Sequence, residues 1–327
     1  MESFLFAVNA VAPIMLMMVV GYFIKKCGLV NPAFAKVANR LVFRLFLPVM
    51  LFLNIYKTES LEGMVWSSVG YAAAVVLVIF GCAIPYAVAV AQKKESRGAL
   101  LQGSFRSNYA LVGIPLATAL FGEEGALVAT LLSAVVVPLF NVLAVISLSI
   151  FRKGERPSVK KILLGIVKNP LIQSIALGLV ALGVRALFVR WGISFRLSQI
   201  TPLYTVAGDL GKLATPVALL MLGAQFEFSA VRELRREIVC GTVLRCLLVP
   251  AVGLGLAYLL FRNRFGGAEF AALVAVFATP VAVSSVPMAQ EMEADVTLAG
   301  QLVVWTTLFS ALSIFFSAFL LKAGGIF

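Results

Sequence analysis

Long apolar runs alternate with short polar connectors almost from one end of the chain to the other. A hydrocarbon core about 30 Å thick takes about 20 residues of helix at 1.5 Å rise each, and runs of that length recur. They predict ten membrane spans, at 3–24, 33–56, 64–91, 97–121, 125–151, 162–187, 200–226, 237–261, 268–291 and 295–321. The connectors are brief, such as KTESLEG at 57–63 and RKGERPSVKK at 152–161, so function is expected within or between helices. The first run starts on Glu2 rather than a basic stretch and is followed by Lys25 and Lys26, which reads as a retained span rather than a cleaved signal.

Two runs carry residues that do not suit an unbroken helix. SNYALVGIPLATALFG at 107–122 contains Asn108, Gly113 and Pro115. Proline lacks an amide hydrogen and its ring clashes with the carbonyl four residues earlier, and glycine has low helix propensity. ATPVAVSSVPMAQEM at 278–292 places Pro280 and Pro287 around Ser284 and Ser285. An unpaired backbone group costs several kcal/mol in hydrocarbon, so breaks at these places predict a polar cavity near mid-membrane. Half-helix N-termini there could face an anion, and freed carbonyls with Asn or Ser groups could orient it or hold a cation. Ser107, Asn108, Gly113, Pro115, Pro280, Ser284, Ser285 and Pro287 are the candidate binding residues.

A faint internal repeat accompanies the breaks. Arg44 and Pro48-Val49 correspond to Lys212 and Pro216-Val217, Gly113-Ile114-Pro115 to Ser285-Val286-Pro287, and Pro85 to Pro250. Each pair is about 170 residues apart, close to half the chain. The expected fold is an all-α membrane protein with ten transmembrane helices in two inverted five-helix repeats, 1–151 and 162–327, joined by a cytoplasmic linker at 152–161.

Composition agrees with the membrane reading: of 327 residues 61% are hydrophobic and 13% charged, where soluble domains are nearer half and a quarter. The excess of 27 Lys and Arg over 15 Asp and Glu falls largely on one set of connectors, which argues for membrane topology and anionic headgroups rather than nucleic acid. The same bias makes those connectors cytoplasmic and puts both termini outside, in the inner (plasma) membrane. Four cysteines without CxxC spacing and no histidine give a metal or haem site little support, and no cofactor is expected. With no Walker A sequence, ATP is not the direct driver. The only aspartates are Asp209 and Asp295, and VAGDLG at 206–211 lacks the GxGD form of an intramembrane aspartyl protease, so no enzyme is expected.

Five charges fall inside the expected spans: Arg44, Arg106, Asp209, Lys212 and Arg245. Each costs about 2.5–3.5 kcal/mol near the centre of a membrane helix and tends to face a cavity or a partner. Arg106 either binds a substrate carboxylate through its fork of donors or snorkels to the surface. Arg44 and Lys212 flank the cavity or anchor the protein to lipid. Asp209 pairs with Lys212 one turn away, or serves as a coupling-proton site. GEEG at 122–125 and EMEAD at 291–295 read as solvated turns.

The sequence resembles the auxin efflux carrier family, especially its bacterial members, through NRLVFRLFLPVMLFLNI at 39–55, SNYALVGIPLATALFG, PVALLMLGAQF at 216–226 and ATPVAVSSVPMAQEMEADVTLAG at 278–300. That family is similar in fold to bile-acid symporters and sodium/proton antiporters. The resemblance implies crossing, discontinuous fourth and ninth helices, a scaffold of spans 1, 2, 6 and 7, and a transport bundle of spans 3–5 and 8–10. It implies alternating access of the elevator kind, with Asn108 and Pro115 at the crossover and an organic anion as substrate. Ser107 stands where plant carriers have proline, the prolines of the ninth span are more widely spaced, and the long plant loop is absent. A small mono- or dicarboxylate is therefore expected rather than auxin, with a proton or sodium ion as coupling ion and a homodimer left open. An anion channel or a membrane sensor of organic acids is the alternative.

Overall fold

The computed structural model describes residues 2–57, 65–152 and 159–327. Most of the KTESLEG connector and much of the expected linker at 152–161 lie outside them. Named in chain order, the helices are α1 (Glu2–Lys26), α2 (Pro32–Tyr56), α3 (Trp66–Val90), α4 (Lys94–Phe105), α5 (Tyr109–Ile150), α6 (Val159–Lys168) and α7 (Pro170–Arg190). Beyond them come α8 (Thr201–Gln225), α9 (Phe228–Glu233), α10 (Arg235–Phe261), α11 (Gly267–Phe277), α12 (Ser285–Glu291) and α13 (Val296–Ala323).

The expectation of ten spans in two inverted five-helix repeats is corrected by this arrangement. Among the described residues seven helices, α2, α3, α5, α7, α8, α10 and α13, are long and apolar enough to cross a membrane. The chain is thus an all-α, multi-pass membrane protein with about seven long apolar helices, and the elevator scheme that the resemblance implied for a ten-helix fold is corrected with it. Three expected spans have no counterpart of their own among the seven: 3–24, which falls on α1, and 97–121 and 268–291, which are interrupted. The run at 268–291 starts almost wholly apolar and that at 97–121 carries Arg97, Gln102, Arg106 and Asn108, and the backbone leaves the helix after Phe105 and again after Phe277. A count of apolar residues does not register whether successive amides keep their i→i−4 partners.

The prolines act differently from the expectation as well. Pro48, Pro115 and Pro250 each follow a five-residue π-helical turn, at Val42–Phe46, Tyr109–Gly113 and Leu244–Leu248. Where a proline supplies no amide, the wider i→i+5 pattern lets the neighbouring donors reach other carbonyls, and the helix carries on. The sharp departure in α5 falls instead at Phe121 and Gly122. Gly122 has φ +59°, a conformation that suits glycine, and this corner breaks up a 42-residue helix that would measure about 63 Å if straight.

Small residues set the packing of α1 on α8. A Cβ added at Gly21 would collide with the carbonyl of Leu220, and one at Gly223 with the carbonyl of Met18. The two backbones approach closely because no side chain stands between them, which is how helices gain contact where lipid offers no hydrophobic driving force. The buried core runs from α3 through α5 and α11 to α13, with Phe105, Tyr109, Phe140, Phe270 and Phe277 among its aromatic side chains.

Candidate functional site

The two helical breaks face each other. After Phe105 the chain is non-helical through Asn108, and after Phe277 through Ser284. Ser107 and Val281 form an antiparallel bridge: the Asn108 amide donates to the Pro280 carbonyl at 2.8 Å, and the Ala282 amide to the Arg106 carbonyl at 3.1 Å. The Val281 amide donates to Thr306 Oγ1 of α13 at 3.1 Å. Each break thereby supplies partners for amides that no helix satisfies, as a low-dielectric interior requires.

Arg245 completes the junction from α10. Its guanidinium donates to the carbonyls of Val276 (3.0 Å) and Thr279 (2.8 and 3.0 Å), and reaches those of Ser104 (3.5 Å) and Phe105 (3.4 Å). These carbonyls belong to the C-terminal ends of α4 and α11, where orphan acceptors concentrate about half a negative charge per helix. Two helix ends stand in for a carboxylate, which accounts for a 99% buried arginine.

Beside the bridge lies a cavity of about 260 Å³ lined by Asn54, Arg106, Ser107, Asn108, Asn141 and Ser284, with Met50 and Thr215 among the remaining walls. Arg106 is 3% exposed; it donates to Asn141 Oδ1 at 2.8 Å, Gln102 Oε1 at 3.4 Å and Met288 Sδ at 3.0 Å. All three acceptors are neutral, and among the described residues no carboxylate pairs with Arg106. Asn108 Nδ2 and Ser107 Oγ are buried without a hydrogen-bond partner. One uncompensated cation and two unspent polar groups thus share a small chamber. Its chemistry suits an anion, for which each of these groups is a donor.

The other candidates are placed elsewhere. Ser285 is buried outside the cavity wall, its hydroxyl unpartnered and its carbonyl accepting from Gln102 Nε2 at 3.2 Å. Gly113 packs on Ala275, where an added Cβ would sit 3.1 Å from the Ala275 carbonyl. Pro280 contributes its carbonyl to the bridge, Pro115 follows the π turn of α5, and Pro287 is buried in α12. Asp209 and Lys212 pair at 3.1 Å with exposed side chains on α8 and are not part of the cavity lining. Arg44 pairs with Glu291, its Nε donating at 2.7 Å, and Arg40 Nε lies 3.8 Å from the same carboxylate. EMEAD is therefore no free turn: Glu291 is tied to α2, and Asn39 Nδ2 donates to Gln225 Oε1 (2.9 Å) and Gln290 Oε1 (3.0 Å) close by.

Sequence reasoning gave no role to Asn141, although a lone amide in the apolar stretch VVVPLFNVLAVI at 135–146 was a usable signal. For Arg245 the signal was its charge inside a span; the carbonyls it serves had none.

Helices that break inside the membrane around a small polar chamber define a class of protein that handles solutes in the bilayer. The chain belongs to the membrane transport protein family, which it matches over residues 6–317. It is 24% identical to an uncharacterized transporter of Methanothermobacter thermautotrophicus over 95% of this chain and 97% of that one. It is also 25% identical to an uncharacterized transporter of Methanocaldococcus jannaschii, covering 94% and 96%. Family membership makes it a membrane transport protein, not an enzyme.

Proposed function

We propose that this transporter moves a small organic anion, a mono- or dicarboxylate, by alternating access, as the sequence likeness to bacterial auxin efflux carriers implies. One observation carries the reading: Arg106 is buried in a cavity wall without a carboxylate. A cation so placed gains most from a counter-charge that arrives with the solute. Asn108 Nδ2 and Ser107 Oγ add donors, α5 begins in the same wall at Tyr109, and 260 Å³ suits a molecule smaller than the usual drug-sized ligand. The contacts of Glu291 and Gln290 with α2 form a polar clasp, and its opening is the motion that access from that side requires.

Screening purified protein by thermal shift against mono- and dicarboxylates, with and without sodium and at two pH values, tests this. A true solute at 100 times its Kd adds about 2.7 kcal/mol to the folded state, a clear rise in Tm. Stabilisation that needs sodium, or that changes with pH, names the coupling ion. If no carboxylate raises Tm and inorganic cations do, the anion reading is wrong. Saturable uptake with counterflow in proteoliposomes then separates a carrier from an anion channel.

The reading places the protein in the inner membrane with its C-terminal end extracytoplasmic, supported by Gly324 lying beside Tyr258, at the far end of α10 from the basic residues Arg232, Arg235 and Arg236. A reporter active only in the cytoplasm, fused after Phe327, is expected to be silent; an active one reverses the orientation.

A further inference from the structure

A second, larger recess lies apart from the cavity. It is a crevice of about 1210 Å³ between α10 and α13, running from Arg235 at one mouth to Tyr258 and Gly324 at the other. Its walls are nearly all apolar, with Leu247, Leu254, Phe309 and Phe316 among them. Along α10 the distance from Arg235 to Tyr258 is about 35 Å, one hydrocarbon thickness, so the crevice opens sideways at acyl-chain depth.

The polar groups on its α10 wall are layered. Arg235 is exposed at the mouth and has no carboxylate within ion-pair distance among the described residues, although Glu233 and Glu237 share its segment. Arg232 and Arg236 flank it, and the Arg236 Nη2 bond to the Ala89 carbonyl at 3.1 Å brings the end of α3, and with it Lys93, alongside. About 10 Å deeper, seven residues along the helix, Thr242 lines the crevice with its hydroxyl buried and unpartnered. Ser313, whose hydroxyl is likewise buried and unpartnered, and Ser317 line the same crevice from α13, further from Arg235. A cationic mouth, the Thr242 hydroxyl about 10 Å below it and a largely apolar slot beyond match a phosphate, an ester carbonyl and an acyl chain in that order.

We propose that this crevice is a binding site for a phospholipid with an anionic headgroup, its phosphate on Arg235, an ester carbonyl accepting from Thr242 Oγ1, and a chain along α10 and α13. The occupant is a lipid rather than a free phosphate, because most of the recess is apolar and would stay uncovered by an ion. Arg235 is the basic residue that lines the crevice, so the preference for an anionic over a zwitterionic headgroup rests on it.

The test is native mass spectrometry of the detergent-purified protein with dioleoyl phosphatidylglycerol, dioleoyl phosphatidylcholine of the same chains, and inorganic phosphate as a competitor. Wild type is expected to retain phosphatidylglycerol about fivefold better, the factor given by about 1 kcal/mol per basic residue at an anionic surface. Arg235→Gln should remove that preference and Arg235→Lys keep it. Leu247→Trp, which fills the slot from an exposed wall position, should lower retention of both lipids with the melting curve unchanged. Equal retention of the two lipids by wild type, a preference that survives Arg235→Gln, or complete displacement by inorganic phosphate would each overturn the proposal.

Discussion

Replacing Arg245 with leucine is expected to cost the folded protein about 3–5 kcal/mol, the range seen when one side of a buried charge interaction is removed. Leucine fills part of the volume but donates nothing. The carbonyls of Val276 and Thr279, 2.8–3.0 Å from the guanidinium, would then face a dry interior with the partial negative charge of two helix ends beside them. Against a total stability of about 5–15 kcal/mol this is enough to lower the yield of folded protein sharply. Lysine keeps the charge and loses the fork, so Arg245→Lys should fall between wild type and Arg245→Leu. Thermal melts in detergent check the order; an Arg245→Leu protein melting with wild type would remove Arg245 from the junction.

Arg106→Gln should do the reverse to the empty protein. Its guanidinium has neutral partners at Asn141, Gln102 and Met288, so deleting the charge takes away a desolvation penalty without orphaning a carboxylate. The Tm without solute is expected to equal or exceed that of wild type. Binding should weaken by about 10- to 150-fold, the equivalent of a charge-assisted hydrogen bond of about 1.5–3 kcal/mol. Isothermal titration or uptake with the carboxylate found in the thermal-shift screen supplies the second number. Unchanged affinity would mean that Arg106 serves the fold alone, and so would a large loss of stability with the affinity intact.

The different fates of these two arginines show how far the sequence can be read. Helical class and membrane residence follow from apolar runs, because a bilayer imposes one length and one way of satisfying the backbone. The number of spans does not follow. Residues 268–277 are as apolar as true spans and 97–105 are less so, but both helices stop early, at 11 and 12 residues, and their neighbours in space satisfy the amides beyond. Pro115 looked like the site of a break, whereas the chain departs from helix at Arg106–Asn108 and absorbs the proline in a π turn. At the candidate site, Arg106, Ser107, Asn108 and Ser284 were visible as polar residues in apolar surroundings. The partners were not. Arg245 meets carbonyls 34 and 141 positions away, and Glu291 reaches Arg44 across 247. Such pairings belong to the folded topology, and no local periodicity encodes them.

The seam between the breaks is made of main chain. Asn108 and Ala282 contribute amides and Pro280 and Arg106 contribute carbonyls, so the stitch uses no side chain and asks of positions 108 and 282 only that they not be proline. Replacements at these points can therefore redraw the lining of the chamber while the surrounding helices keep their places, and relatives sharing one framework are free to diverge in cargo.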